Sequence, residues 1–203
     1  MQGVLYVVAA PSGAGKTSLV KALLKNDSGI RLSVSTTTRA PRPGEINGRD
    51  YHFVSREIFV EMTGRGEFLE SAEVYGNFYG TSQSWIAGEI ALGHDILLEI
   101  DWQGAAQVNK YFPEAVTIFI VPPSLNALRN RLLSRAQDSQ EIIERRLAAA
   151  CDDISHAMEF EYIIVNDDFD QALLDLTAVI KAARLVTVRQ ALKLALLLTQ
   201  FKN

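Results

Sequence analysis

One short segment near the start of the chain, AAPSGAGKTSL at residues 9–19, constrains the fold more than any other. An apolar, β-branched-rich run at residues 4–8 precedes it and is typical of a buried parallel strand. Apolar residues at helical spacing follow it and predict a helix that begins near Lys16. This order of strand, glycine-rich loop and helix is the pattern of a phosphate-binding P-loop.

The residue types in this loop suit a nucleoside triphosphate. Gly13 and Gly15 allow backbone conformations that a side chain would block, so that amide N–H groups can converge on phosphate oxygens. Lys16 is expected to reach the β- and γ-phosphates, and the Thr17 hydroxyl is expected to bind Mg²⁺. The pattern asks for glycine at the position of Ala10, and a simple turn between strand and helix is the alternative interpretation.

Length and composition indicate one soluble domain. The 203 residues are 48% hydrophobic, which is enough for a sizeable core, and the net charge of −4 argues against a nucleic-acid partner. The single cysteine, Cys151, excludes an internal disulfide, suits a reducing cytoplasm and is expected to be a small core residue. No apolar run is long enough to cross a bilayer, so no membrane partner is expected.

An extended segment at residues 33–47 brings two arginines together. Prolines and a glycine after Arg39 exclude a helix and place Arg39 close to Arg42. Guanidinium groups suit bidentate contact with a phosphate or a carboxylate. A solvated basic loop is the alternative interpretation of this segment.

Several short strands lie between two halves of an α/β pattern. Residues 51–54 predict one strand, and residues 68–73 and 78–81 predict a hairpin, with a helix capped by Ser55 before it. These elements predict a small antiparallel lobe inserted at roughly residues 34–84.

Two acids end the next predicted strand, at residues 95–101. Ligands of α/β sheets bind at the carboxyl ends of strands, where Glu99 and Asp101 stand. In a P-loop protein, acids at this position assist Mg²⁺ or its water molecules.

A charged helical hairpin is predicted after Pro123. Arg131 and Arg135 are four residues apart and therefore share one helix face, as a lid that closes on a polyphosphate requires. A solvated face, with the arginines paired to Glu141 and Glu144, is the alternative interpretation.

The segment from Val186 to the C-terminus is leucine-rich and contains no acid. It predicts an amphipathic helix that packs on the core or on a second copy of the chain. Contact with a membrane surface is the alternative.

Six segments, taken in order, resemble the guanylate kinase family: the P-loop, RAPRPGE at 39–45, YHF at 51–53, FLE at 68–70, YGT at 79–81 and IDWQG at 100–104. Their order and spacing agree with the family from about residue 4 to residue 187. The resemblance implies a three-layer α/β P-loop NTPase fold with a five-stranded parallel sheet. It also implies a core (1–33, 85–123 and 150–203), a GMP-binding lobe (34–84) and a lid (124–149).

The resemblance also implies the site residues. Those implied to act in catalysis are Lys16, Arg39, Arg131, Arg135 and Arg146. Those implied to bind ATP are Ala10, Pro11, Ser12, Gly13, Ala14, Gly15, Lys16, Thr17, Ser18 and Asn166. Those implied to bind GMP are Ser35, Arg39, Arg42, Tyr51, Glu70, Tyr79, Thr81 and Asp101. Mg²⁺ is expected on Thr17, with Glu99 and Asp101 acting through water.

The implied activity is reversible transfer of the γ-phosphoryl group of ATP to GMP or dGMP in purine nucleotide metabolism. Guanine offers N1–H and N2–H₂ donors that a carboxylate such as Glu70 accepts, and adenine lacks this pair of donors. The acceptor is a phosphate oxygen that is ionised at neutral pH, so no general base is expected.

Two other functions are alternative interpretations of the sequence. A non-catalytic guanylate-kinase-like module would bind partner peptides, but the intact P-loop argues against it. A different P-loop kinase is disfavoured by the combination of Glu70 with Arg39 and Arg42. The chain departs from the family pattern at Glu99, where aspartate is frequent, and at Ala136, where glycine is common.

Overall fold

The structure is a computed structural model that describes residues 3–74, 76–134 and 140–201. Its strands are β1 (Leu5–Ala9), β2 (Ile30–Leu32), β3 (Thr36–Thr37), β4 (His52–Phe53), β5 (Phe68–Val74), β6 (Asn77–Ser82), β7 (Asp95–Glu99), β8 (Val116–Val121) and β9 (Tyr162–Val165). Its helices are α1 (Lys16–Asn26), α2 (Arg56–Gly64), α3 (Gln83–Ala91), α4 (Trp102–Tyr111), α5 (Leu125–Ser134), α6 (Gln140–Ser155), α7 (Phe169–Leu185) and α8 (Thr187–Thr199), with a 3-10 turn at Ala157–Glu159.

The central sheet has five strands in the order β2-β7-β1-β8-β9, and every neighbouring pair is parallel. Its inner strands are almost wholly apolar because both faces are covered. On one face, Leu19 of α1 and Leu176 of α7 are fully buried. On the other face, Ile86 of α3 and Val108 of α4 are fully buried. The predicted three-layer fold is therefore confirmed.

The second sheet is small, and its order is β4-β3-β6-β5. Two of its pairs are antiparallel, as predicted for the inserted lobe, whereas β3 and β4 are parallel. The long segment between β3 and β4 returns the chain to the same end of the sheet, which a parallel pair requires. Helix α2 covers this sheet through Phe59, whose ring stacks on Phe68 at 4.5 Å and on Phe78 at 5.4 Å.

Strand β7 is shorter than the strand predicted at residues 95–101. Strand β7 ends at Glu99, and Asp101 instead caps helix α4. Its Oδ1 atom accepts a hydrogen bond from the Gly104 amide at 2.8 Å. A helix start needs an acceptor for its free N–H groups, and an aspartate supplies one.

Helices α5 and α6 pack together through a small cluster of buried residues, Leu128, Leu132, Ile143, Leu147 and Ala150. Helix α6 runs without a break across residue 149, where the sequence interpretation ends the lid. Cys151 is exposed, so its predicted place in the core is wrong. The alanine-rich helix buries only the face that carries Leu147 and Ala150, and the next residue falls outside that face.

Helix α8 packs against α7 near its start, where Arg189 Nη1 donates to the Ala183 carbonyl at 2.7 Å. Several apolar side chains at this end of the chain remain exposed, including Val188 and Phe201, each with 76% of its surface open. Within the described ranges, no helix is long and apolar enough to cross a membrane.

Candidate active site

The P-loop connects β1 to α1 in the conformation that its glycines allow. Gly13 and Gly15 have φ angles of 91° and 95°, in the left-handed region that favours glycine. Gly15 is the N-cap of α1 and supplies no side-chain cap, and the described first turn carries no acid. The amide groups and the positive end of the helix dipole therefore face the same site as the loop.

A cleft of ≈ 340 Å³ lies over this loop. Within this P-loop cleft, the lining includes most of the predicted ATP-binding residues, namely Ala10, Pro11, Ser12, Gly13, Gly15, Lys16, Thr17 and Ser18. The remaining residue of the loop, Ala14, is fully buried.

Two side chains at the start of α1 are held by the end of β7. Lys16 Nζ donates to the Ile100 carbonyl at 2.8 Å, and the Thr17 hydroxyl donates to the Glu99 carboxylate. Burial lowers the pKa of the Lys16 ammonium, and the nearby carboxylates of Glu99 and Asp101 oppose that shift. The P-loop cation thus lies among acceptors that an anionic ligand can replace.

Asn166 lies beneath the P-loop at the end of β9 and is 4% exposed. Its side-chain Nδ2 donates to the Ala14 carbonyl at 2.7 Å, and a Cβ at Gly15 would lie 2.3 Å from the same nitrogen. Arg131 Nη2 donates to the Asn166 carbonyl at 2.8 Å. The implied contact of Asn166 with adenine stays a prediction, whereas its amide nitrogen is already bonded to the loop.

A second cleft of ≈ 400 Å³ adjoins the P-loop cleft. Four residues, Ser12, Lys16, Val74 and Asp101, line both clefts. The second cleft also brings together residues from four parts of the chain: Ser35, Arg42, Tyr51, Glu70, Tyr79, Glu99 and Arg146. It therefore contains most of the residues that the resemblance assigns to GMP.

Two of these GMP residues face each other across β5 and β6. Glu70 is directly opposite Thr81 in the strand register, and both are buried. Burial raises the pKa of Glu70 to about 7, and the charge of Asp101 adds to the rise. The Thr81 hydroxyl is near enough to oppose part of that rise, yet Thr81 Oγ1 is the one buried side-chain polar atom of the described residues without a normal hydrogen bond.

Arg39 lies beside the second cleft rather than in its lining, because a carboxylate already holds it. Its Nη2 atom is 2.8 Å from Glu45 Oε1 and 2.9 Å from Oε2, and the Arg42 amide donates to Oε2 at 2.7 Å. The Arg39 guanidinium carbon is 5.3 Å from the centre of the Tyr51 ring. Glu45 was not predicted as a site residue, although its place in the RAPRPGE segment was the available signal.

The predicted lid arginines lie in different places. Arg146 of α6 lines the second cleft, and Arg131 of α5 reaches the P-loop region. Arg135 lies outside the described residues, so its predicted shared face with Arg131 stays a prediction. Helix α5 itself packs on the loop, since a Cβ at Gly13 would lie 2.9 Å from the Leu128 side chain.

Asp153 is a further acid at the site that sequence reasoning missed. It lines the P-loop cleft, and burial raises its pKa, with the charge of Asp101 adding to the effect. The available signal was helical spacing, because Asp153 is seven residues after Arg146 and four after Ala149 on α6.

The fold and the two joined clefts define a P-loop kinase that phosphorylates a small acceptor. A family model described as guanylate kinase matches residues 2–183. A guanylate kinase of Thiobacillus denitrificans is 64% identical over 201 residues, covering 99% of this chain and 96% of that protein. A guanylate kinase of Nitrosospira multiformis is 59% identical, covering 94% and 91% of the two chains. The chain belongs to the guanylate kinase family, and its function is that of a guanylate kinase.

Solved structures agree with this assignment. The crystal structure of guanylate kinase from Anaplasma phagocytophilum is similar with a TM-score of 0.77 and 37% identity, covering 93% of this chain and 89% of that one. Shikimate kinase from Bacteroides thetaiotaomicron is similar with a TM-score of 0.51 and 16% identity, covering 88% and 98% of the two chains. The second likeness shows the fold alone.

Proposed function

We propose that this chain transfers the γ-phosphoryl group of ATP to GMP or dGMP, with ATP in the P-loop cleft and the acceptor in the second cleft. The observation that carries the proposal is the buried Glu70 carboxylate, which lines the same cleft as Lys16 and lies opposite Thr81 in the strand register. One cleft is suited to a triphosphate, and the other is suited to a base with hydrogen-bond donors.

Guanine recognition is assigned to the buried end of the second cleft. The N1–H and N2–H₂ groups of guanine donate to the Glu70 carboxylate, and Thr81, Ser35 and Asp101 supply further polar contacts. Adenine would leave the buried carboxylate without donors, which costs about 1–3 kcal/mol or more for a charged group. Guanine is therefore selected because its donors satisfy a carboxylate that is buried in the free protein.

The phosphate of GMP is assigned to the other end of the same cleft. Arg39 and Arg42 bind it with Tyr51 and Tyr79, and Arg39 exchanges the Glu45 carboxylate for phosphate oxygens. This exchange keeps the guanidinium charge paired before and after binding.

The triphosphate of ATP is assigned to the P-loop amides, Lys16 and the lid arginines, which are Arg131, Arg135 and Arg146. Lys16 moves from the Ile100 carbonyl to phosphate oxygens. Asn166 is proposed to contact adenine while its amide nitrogen supports the loop.

Mg²⁺ is proposed to bind with ATP, and the residues present fit it. The Thr17 hydroxyl and the Glu99 carboxylate are adjacent, and Asp101 lies at the same cleft. The described residues hold no group of three or more His, Cys, Asp or Glu side chains that could bind a metal on their own. Mg²⁺ in kinase sites is held by one or two protein oxygens, substrate phosphates and water. When bound, it neutralises charge on the phosphates.

The transfer step needs orientation and charge neutralisation rather than a base. A GMP phosphate oxygen forms a bond to the γ-phosphorus while the bond to the β–γ bridging oxygen breaks, and the electron pair leaves with ADP. The GMP phosphate is largely ionised at neutral pH, so no proton has to be removed. Lys16 and the arginines hold the reacting groups in line and stabilise the developing charge.

The experiment is a coupled assay of ADP release with ATP and Mg²⁺, comparing GMP, AMP, UMP and no acceptor. Turnover that depends strongly on GMP is expected. A folded protein that binds GMP but gives no acceptor-dependent turnover would contradict the proposal and indicate a binding module.

Three further parts of the proposal concern organisation. The division into core (1–33, 85–123 and 150–203), GMP lobe (34–84) and lid (124–149) assigns the closing motion to the lid. A second copy of the chain is proposed to pack on α8, whose exposed apolar residues supply the contact. The protein is proposed to act in the cytoplasm, because a reducing compartment keeps an exposed free thiol such as Cys151 reduced.

A further inference from the structure

One face of helix α4 contacts strand β5 at the buried end of the second cleft. Asp101, Gly104 and Gln107 are spaced three residues apart and therefore lie along one side of the helix. Asp101 caps the helix and lines the cleft. The other two residues each make a close approach to β5, at Glu70 and at the residue after it.

Gly104 brings the helix backbone against the Glu70 carboxylate. A Cβ at this position would lie 2.9 Å from Glu70 Oε2, closer than real Cβ contacts come. Gly104 is buried and lies within the first turn of α4. Because Gly104 has no side chain, the Glu70 carboxylate can lie in the space that a Cβ at this position would take.

Gln107 binds the backbone of Ser71, the residue after Glu70. Its Oε1 accepts from the Ser71 amide at 3.1 Å, and its Nε2 donates to the Ser71 carbonyl at 3.0 Å. Strand β5 is an edge strand, paired with β6 on one side only. In an antiparallel pair, alternate residues direct both backbone groups away from the partner strand, and Gln107 takes the place of the missing neighbour.

A bulge in β5 makes the contact between Gln107 and Ser71 important for the direction of the Glu70 side chain. The register of β5 against β6 shifts between Phe68 and Glu70, so that Leu69 is an extra residue on β5. A bulge of this kind re-aims the side chain that follows it and leaves the strand less firmly fixed by its ladder. Ser71 is the first residue after Glu70, so its backbone sets how the bulge ends.

We propose that Gln107 is a positioning residue for guanine selectivity: its side-chain amide fixes the backbone of Ser71 and thereby holds the Glu70 carboxylate in place against Gly104. Among the described residues, Gln107 is not one of those that line the second cleft. Its effect on guanine is therefore exerted through Glu70. The inference rests on the proposed reading of guanine by Glu70.

The test compares Gln107→Leu with Gln103→Leu. Gln103 is exposed on the same helix, so its variant makes the same chemical change away from β5. The acceptors are GMP and inosine monophosphate, whose base keeps N1–H but lacks the 2-amino group. For Gln107→Leu we expect kcat/KM for GMP to fall about tenfold and the preference for GMP over inosine monophosphate to shrink, because a misplaced contact costs up to about 100-fold. The KM for ATP should stay within twofold, roughly the scatter expected for an unconnected site.

Two further measurements separate positioning from general damage. Hydrogen exchange of the Ser71 amide, followed by NMR, should be faster in Gln107→Leu than in Gln103→Leu, because the amide loses its acceptor. Gly104→Ala should reduce the same preference from the opposite side of Glu70 while adding helix propensity. If the leucine variant does not fold, Gln107→Glu serves at pH 8, since its carboxylate still accepts from the Ser71 amide but repels the Ser71 carbonyl.

The outcomes distinguish this inference from the function on which it rests. If Gln107→Leu keeps the same acceptor preference as Gln103→Leu while Glu70→Gln loses it, the role of Gln107 is overturned and the reading of guanine by Glu70 stands. If Glu70→Gln also leaves the preference unchanged, the proposed reading of guanine by Glu70 fails, and the role of Gln107 fails with it.

Discussion

The two ends of the site prepare for their ligands in opposite ways. At the phosphate end, cationic and hydroxyl groups are already bonded to acceptors of the chain itself: Lys16 to Ile100, Thr17 to Glu99 and Arg39 to Glu45. At the guanine end, Glu70 is buried with a raised pKa and Thr81 Oγ1 has no normal hydrogen bond.

This difference assigns affinity and selectivity to different ends. A phosphate exchanges one paired state of a cation for another, so many phosphates can bind there with similar gain. The buried Glu70 carboxylate is fully satisfied only by a base with the right donors, and a wrong base leaves the cost of burying it in place. The phosphate end should therefore control turnover, and the guanine end should control choice of acceptor.

The largest expected effect is at the phosphate end. Lys16→Ala should lower kcat about 1,000-fold or more, since it removes a charge that contacts the transferred group. The Kd of GMP, measured by calorimetry without ATP, should change little because the guanine end is intact. Lys25→Ala, an exposed change on the same helix, is the control. Near-normal turnover in Lys16→Ala would remove Lys16 from the transfer step.

The next effect is at the guanine end and concerns selectivity. Glu70→Gln should reduce the preference for GMP over AMP, as a ratio of kcat/KM values, by about 100-fold, because the neutral amide no longer demands two donors. Glu73→Gln makes the same change at an exposed position of the same strand and should leave the ratio intact. An unchanged ratio in Glu70→Gln would refute the assignment.

The same substitution should stabilise the free protein. The pKa of Glu70 is raised from 4.5 to about 7 in the folded state, so the unfolded chain ionises first as pH rises and stability is lost through this interval. The Glu70→Gln variant does not lose this stability, because a glutamine side chain does not ionise. Its advantage in free energy of unfolding should grow by about 2 kcal/mol between pH 5 and pH 8, as measured by urea titration. An advantage that is the same at both pH values would show that burial of the charge is not its cause.

Sequence reasoning predicted the phosphate end better than the guanine end, for a physical reason. The P-loop is contiguous in sequence, and its glycines determine the backbone locally, so the strand, loop and helix follow from the residues 4–24 alone. Individual buried strands followed from apolar runs in the same way, whereas the five-stranded parallel sheet was implied by the family resemblance. Arg39 was placed beside Arg42 by the prolines and glycine of its own segment, whereas the role of Glu70 was identified through the family resemblance.

What the sequence did not predict depends on contacts between distant residues. Asn166 supports Ala14 across 152 positions, and Gln107 binds Ser71 across 36 positions. The bulge before Glu70 arises from a register between two strands, which no local pattern encodes. The prediction for Cys151 failed for a related reason, because composition alone does not say which face of a helix is buried.

The smallest expected effect tests whether Glu45 competes with the substrate phosphate or organises the loop. Glu45→Gln weakens the ion pair with Arg39 but keeps an oxygen that accepts from the Arg42 amide. If the carboxylate competes, the KM for GMP should fall by about twofold to threefold, a modest change because Arg39 keeps its neighbours and loses only one ion pair. Glu73→Gln again controls for the change in net charge. A rise in KM would instead show that the paired carboxylate holds Arg39 in the geometry that phosphate needs, and the phosphate end would then be preorganised by its own acids rather than merely occupied by them.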